Sequence, residues 1–311
     1  MVEAILALGV KVNASDPEGR LPPFLCGNRL RGGEIQVSGR RSSQFLSGLL
    51  FLGAFLEDDL HIRVTDELKS KPMVETTLSI LKQGHVNVTA SDDLMEFFIP
   101  ANQIIQPGEF FVGSDPASAC ALLAISSMVR SEVRLNDYRE AEMGNGLVLD
   151  YMCNIGVRIQ RDGNSVLMGS TGVFRVRNFD GSQAPGAVLP LAALACFAEG
   201  TSRFYNIEHI RYKESDCISD FRQELLKAGA RVDETQTELI VHGRPDGLKS
   251  GAVIDSHFDH AVVMALTAVG LKSDNPIEIH GAQYVGQTYP NFFNDITGFG
   301  CRVETDESRG N

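Results

Sequence analysis

The chain has 311 residues, 43% of them hydrophobic and 22% charged, which is ordinary globular composition and length for two average domains or one large one. Its formal net charge of −12, from 28 Lys and Arg against 40 Asp and Glu, argues against non-specific binding to nucleic acid or to an anionic membrane surface. The longest apolar stretches, Phe45–Leu56 and Gly186–Ala198, fall short of the roughly 18–20 residues that cross a bilayer, so both read as buried helices.

In chain order, MVEAILALGV lacks the basic start and small-residue cleavage site of a signal peptide. It reads as an amphipathic helix stopped at Gly9 and followed by a short strand to Val12. A buried helix is predicted from near Ser42, a strand over His61–Thr65, and an amphipathic helix from Thr77 that stops at Gly84 before a strand ending at Val88. The pattern returns with buried helices from near Asp115, Gly186 and Asp259, amphipathic helices stopped at Gly156, Gly229 and Gly300, and a strand at Ile277–Ile279. The glycines at 9, 84, 156, 229 and 300 are 75, 72, 73 and 71 residues apart. Glycine just past a helix supplies the left-handed stop, and the even spacing marks an internal repeat too long for a solenoid. One unit reads strand, buried helix, strand, amphipathic helix, glycine, strand and often a further strand. The chain is expected to hold four such units and the tail of a fifth, starting inside a second helix. The polar tail after Glu304 is expected to fray.

Six cysteines form no CxxC pair and mostly lie in apolar runs, so they read as small buried hydrophobes in a reducing cytoplasm. Seven histidines show no HExxH or other metal spacing, and neither a metal nor another cofactor is expected.

Three motifs carry chemistry. Val37-Ser-Gly-Arg-Arg-Ser42-Ser43-Gln44 opens a buried helix, Glu67-Leu-Lys-Ser70-Lys71-Pro72 opens the next helix, and Asn206-Ile-Glu-His209-Ile-Arg211-Tyr-Lys213-Glu214-Ser-Asp216 opens a helix two units later. Serines at a helix start either cap it or, with the free N–H groups there, hold an anion. A lysine beside a glutamate is either a solvated helix start or an acid–base pair.

Together with the repeat, these motifs resemble the 5-enolpyruvylshikimate-3-phosphate synthase family (3-phosphoshikimate 1-carboxyvinyltransferase), over essentially the whole chain from Gly9 to Gly300. The resemblance implies an α/β fold of repeated βαβαββ units in two inside-out domains that close on substrate. It makes residues 1–112 an incomplete remnant of the shikimate-phosphate domain and residues 113–311 a second domain with three units. It implies that Ser42, Ser43 and Ser70 hold the substrate phosphate, that Gln44 contacts the ring, that Lys213 binds substrate with Arg211 and His209 nearby, and that Glu214 moves protons.

Departures from the family pattern lie at Cys217 and Ala261, where the family has arginine, at Gln287, where it has lysine, and at Gly186, where it has aspartate. Three lost cations, at about 1.5–3 kcal/mol per charge-assisted hydrogen bond, predict that this chain alone does not transfer enolpyruvate at a normal rate. The alternatives are a lyase or dehydratase acting on a shikimate-like cyclohexene polyol, with Asp259 and His260 as further acid–base candidates, and a non-catalytic binding or regulatory relative. The expected ligand is a small anion of shikimate type. The Val2–Leu8 face is expected to be partly uncovered, so a homo-oligomer or a complementing polypeptide is expected in the cytoplasm.

Overall fold

Each apolar segment predicted as a buried helix forms one, and each begins where a side chain or a proline starts a helix: Ser42, Asp115, Pro185 and Asp259. The structure is a computed structural model describing residues 1–13, 24–26, 30–129, 132–140, 144–170, 172–175, 177–213 and 215–305. It divides into two units, Met1–Val112 and Gly113–Asn311, each with its own apolar core.

The first unit opens with α1 (Val2–Ala7) and the antiparallel pair β1 (Lys11–Asn13) and β2 (Phe24–Cys26). A complete βαβαββ repeat follows: β3 (Gly33–Val37), α2 (Ser43–Gly53), β4 (Leu60–Val64), α3 (Lys71–Gln83), β5 (Thr89–Ala90) and β6 (Glu96–Ile99). Its sheet runs β3-β4-β6-β5, with β3 and β4 parallel and the other pairings antiparallel. Period-two alternation buries Leu60, Ile62 and Val64 and leaves Arg63 outside, paired with Glu96 at 2.9 Å.

The second unit begins with α4 (Pro116–Val129), β7 (Glu132–Leu135), α5 (Asn145–Asn154), β8 (Val157–Asp162) and β9 (Ser165–Ser170), the strands forming an antiparallel β7-β9-β8 sheet. Next come β10 (Phe179–Asp180), α6 (Val188–Ala195), β11 (Thr201–Tyr205), α7 (Cys217–Lys227), β12 (Arg231–Glu234) and β13 (Glu238–His242). Their order, β10-β11-β13-β12 with β10 parallel to β11, reproduces the sheet of the first unit. The chain continues through β14 (Val253–Asp255), α8 (His260–Gly270), β15 (Glu278–His280, parallel to β14) and α9 (Phe292–Gly298). The repeat is therefore present, but not as four complete units. Among the described residues two repeats have all six elements, 116–170 has no leading strand, and 253–298 has no trailing pair of strands.

Helices α4, α6 and α8 pack on one another, and each sheet rests on one of them: β9 on α4, β11 on α6, β15 on α8. Every residue of α6 is buried. A helix apolar all round has nowhere else to go, so the helices lie inside and the sheets outside. In the first unit the corresponding helix, α2, exposes Phe45 and Phe51, with Phe55 exposed just past its end, and α1 exposes Val2 and Leu6.

Four of the five landmark glycines are left-handed, with φ of 85° at Gly9, 105° at Gly156, 86° at Gly229 and 90° at Gly300. After α3 the landmark is one residue off. Gly84 has φ of −78°, and His85, at φ 60°, takes the left-handed position, with the Val86 N–H bonded to the Leu81 carbonyl at 2.9 Å. Gly84 sits close to Ile105 instead, since a Cβ there would stand 3.2 Å from Ile105 Cγ2.

Cys120, Cys196, Cys217 and Cys301 are buried thiols as expected, whereas Cys153 is exposed. Residues 306–311 of the polar tail lie outside the described residues. No helix among the described residues is long and apolar enough to cross a membrane.

Candidate active site

In the first unit two loops leave the carboxyl ends of parallel strands β3 and β4 and run into α2 and α3. Ligands gather at this end of α/β sheets. The loops are tied together by Asp66. Its carboxylate accepts the Ser38 hydroxyl at 2.6 Å, the Gly39 N–H at 2.7 Å and the Arg40 N–H at 3.1 Å, and the Lys69 N–H donates back to the Gly39 carbonyl at 3.2 Å. Only glycine fits at 39, where a Cβ would come 2.9 Å from the Leu68 Cα. Farther along, the Ser47 and Thr77 hydroxyls bond at 2.8 Å, so α2 and α3 lie side by side.

The serines differ in role. Ser42 caps α2, its hydroxyl accepting the Gln44 N–H at 3.2 Å, while Ser43 is buried and Gln44 exposed. Ser70 stands at the start of α3 in a left-handed conformation, φ 55° and ψ 44°, is buried, and does not use its side chain as a cap. A non-glycine residue is held in that region only when its surroundings dictate it. Pro72 in the first turn has no N–H to leave unsatisfied. The Asp66 ties thus hold together the two loops that open α2 and α3, and free N–H groups at helix starts are a general means of holding an anion.

Two residues here were missed in the sequence. Asp66 looks like any turn aspartate until β3 and β4 are known to be neighbours. Lys69 is 1% exposed, its ammonium 2.9 Å from the Glu67 carboxylate, and sits directly before Ser70. A lysine following leucine in a loop carries no sequence sign of burial.

In the second unit His209, Arg211 and Lys213 share the 3-10 turn Glu208–Tyr212 and its end. His209 is buried and Lys213 exposed. Glu214 lies outside the described residues. Arg211 is engaged within its own unit. Its side chain is 7% exposed and its donors are taken by Asp216 at 2.9 and 3.0 Å, Ser219 at 2.9 Å, Glu234 at 2.7 Å, and the carbonyls of Thr235 at 2.7 Å and Gln236 at 3.1 Å. It locks the turn to α7 and to β12. Asp259 is buried and caps α8 through the Ala261 and Val262 N–H groups, at 2.8 and 3.4 Å. His260, half-buried, opens that helix, and its Nδ1 is buried with no hydrogen-bond partner among the described residues.

The four departures from the family pattern sit in different surroundings. Cys217 is buried at the start of α7, and burial, then the nearby Asp259, pushes its thiol up to about 12. Gly186 lies in a tight 3-10 turn where a Cβ would stand 2.9 Å from the Ala117 Cβ. Ala261 is half-buried in the first turn of α8, and Gln287 is exposed.

The family model described as EPSP synthase (3-phosphoshikimate 1-carboxyvinyltransferase) matches residues 1–296. A 3-phosphoshikimate 1-carboxyvinyltransferase of Burkholderia pseudomallei is 47% identical over 305 residues, covering 98% of this chain and 68% of the relative. Its counterpart in Deinococcus radiodurans is 37% identical over 309 residues, covering 99% and 70%. Among solved structures, an EPSP synthase from Acinetobacter baumannii superposes with a TM-score of 0.75 at 18% identity, covering 98% of this chain and 71% of that one. The enolpyruvyl transferase NikO from Streptomyces tendae gives 0.75 at 17% identity, covering 97% and 71%.

Proposed function

Because the chain belongs to the EPSP synthase family, we propose that it is a carboxyvinyltransferase that moves the enolpyruvyl group of phosphoenolpyruvate onto a phosphorylated shikimate-type ring. The observation that carries this reading is Ser70, held left-handed with its hydroxyl unused as a cap, beside the serine-rich start of α2. Ser42, Ser43 and Ser70 hold the ring phosphate, and Gln44 meets the ring. A ring hydroxyl adds to C2 of the enol phosphate while C3 takes a proton. Phosphate then leaves and C3 gives the proton back. That sequence needs one group to accept a proton and one to donate it, and Glu214 with Lys213 are assigned those parts. His209, buried in the 3-10 turn that Lys213 ends, is the neighbouring group on the substrate side.

The chain lacks cations at Cys217, Ala261 and Gln287, so phosphoenolpyruvate is held weakly and turnover is slow. A second reading, elimination from a cyclohexene polyol, is favoured by Gly186, whose packing leaves no room for an acidic side chain. The exposed aromatic stripe of α2 and the apolar face of α1 suit a second copy or a complementing polypeptide. Phosphorylated small substrates of this kind put the protein in the cytoplasm.

The deciding experiment incubates the chain with shikimate 3-phosphate, with and without phosphoenolpyruvate, and follows phosphate release and product mass. Phosphate release that requires both substrates supports transfer. Product formed without phosphoenolpyruvate supports elimination, and tight binding without product supports a binding protein.

A further inference from the structure

Loops that lead from a strand into a buried helix are fastened here by carboxylates. Asp66 fastens the β3–α2 loop, and Asp180 fastens the β10–α6 loop through the Ser182 N–H at 2.9 Å and the Asn206 amide at 3.1 Å. In both, the carboxylate belongs to the same repeat as the loop. The β14–α8 loop is fastened from the preceding repeat. Glu224 of α7 has a fully buried side chain whose Oε2 accepts the Asp255 N–H at 3.0 Å, while Oε1 accepts from His257 Nε2 at 2.8 Å and from Lys227 Nζ at 2.8 Å. The other ring nitrogen of His257, Nδ1, lies 3.7 Å from the Asp220 carboxylate, one helical turn earlier on α7. Burial alone would raise the Glu224 pKa, but the hydrogen bonds from Lys227, His257 and the Asp255 N–H hold it below the ordinary value. An ionised carboxylate only accepts, so Nε2 carries the proton.

What the clasp holds is unusual backbone. His257 and Phe258 are both left-handed, with φ of 51° and 62°, and neither is glycine. Two such residues in succession persist only where their neighbours over-determine them. The next two residues are Asp259, which caps α8, and His260, which opens it. Asp255 accepts the His257 N–H at 2.6 Å, and Phe258 packs edge-on against Tyr284.

We propose that His257, clasped between Glu224 and Asp220, is a positioning residue that holds the β14–α8 loop in its left-handed turn and thereby sets where Asp259 and His260 stand at the start of α8. The inference rests on the proposed transferase reading, in which Ala261, in the first turn of α8, stands where the family places an arginine. The carboxylates come from α7, so the clasp also couples the helix that follows Lys213 to the helix that carries Asp259.

The test compares the whole chain with H257A and H257Q by amide hydrogen exchange and by steady-state kinetics with shikimate 3-phosphate and phosphoenolpyruvate. In H257A, exchange over residues 256–262 should quicken at least tenfold while α4 and α6 stay as they are. The kcat should fall at least tenfold with the KM for shikimate 3-phosphate within twofold. H257Q, whose amide can still donate to Glu224, should recover most of both losses. Unchanged exchange in the loop, equal acceleration throughout the second unit, or a raised KM with intact kcat overturns the proposal. A wild-type chain without turnover would count against the transferase reading, and the exchange data would still decide the clasp.

Discussion

The Ser38 hydroxyl donates to the Asp66 carboxylate at 2.6 Å, and through that bond the loop after β3 is fixed to the loop after β4. The same carboxylate takes the Gly39 and Arg40 N–H groups, so one side chain sets the spacing between the starts of α2 and α3. Asp66→Ala should cost about 2–3 kcal/mol of stability, the worth of hydrogen bonds to a charged group in a partly buried loop. It should also weaken shikimate 3-phosphate binding at least tenfold. Urea unfolding and calorimetry read the two effects separately. A stability loss with unchanged affinity would remove the loop from the binding site.

Ser70 separates stability from binding. Its left-handed backbone is costly for serine and free for glycine. Ser70→Gly should therefore raise stability by about 1 kcal/mol, while Ser70→Ala should leave it nearly unchanged, because the hydroxyl caps nothing. Both should lose about 1.5–3 kcal/mol of phosphate affinity. If Ser70→Ala destabilises the fold and spares binding, the serine is only structural.

The repeat was legible because it rests on signals that survive without tertiary context: apolar helices with no polar face, and glycines stopping amphipathic ones. The slip at Gly84 shows the limit. A glycine can be selected for closeness to Ile105 rather than for positive φ, and the sequence does not distinguish the two. At the candidate site the serines could be found by motif. The partners of Arg211 were not legible, because Glu234 and the Thr235 carbonyl lie at the end of β12, more than twenty residues away. Asp66, Lys69, Glu224 and His257 gain their meaning only from neighbours brought by the fold.

Arg211→Met tests whether Arg211 serves the fold or the ligand. Removing a buried guanidinium leaves Asp216 and Glu234 facing each other without their cation, so stability should fall by about 3 kcal/mol. The KM for either substrate should change less than twofold in the folded fraction. A large KM effect with unchanged stability would return Arg211 to the ligand groups.

Glu224 gives a pH dependence with a definite sign. Its folded pKa is lowered, so the folded state holds its charged form more strongly than the unfolded chain does. The resulting stability is present above the ordinary carboxylate value of about 4.3 and is lost as pH falls through the lower folded value. Unfolding free energy measured from pH 6 down to pH 3 should drop more steeply in the wild type than in Glu224→Gln. Parallel curves would show that Glu224 titrates alike in both states.

Three of the four departures from the family pattern should respond differently to repair. Gly186→Asp should fail to fold well, since a Cβ there would stand 2.9 Å from the Ala117 Cβ in a packed turn. Cys217→Arg must place a guanidinium in a site that raises the native thiol's pKa by burial, so it should also lose stability. Gln287 is exposed at the end of the 3-10 turn Ala282–Gln287, where a lysine costs nothing to accommodate. Gln287→Lys should then leave stability within about 0.5 kcal/mol. If the trianionic donor binds beside this turn, the KM for phosphoenolpyruvate should fall about tenfold, corresponding to one regained charge-assisted hydrogen bond of about 1.5 kcal/mol. The KM for shikimate 3-phosphate should not move. An unchanged KM for phosphoenolpyruvate would mean that the donor does not reach Gln287, and that the weak grip inferred from the missing cations has another origin.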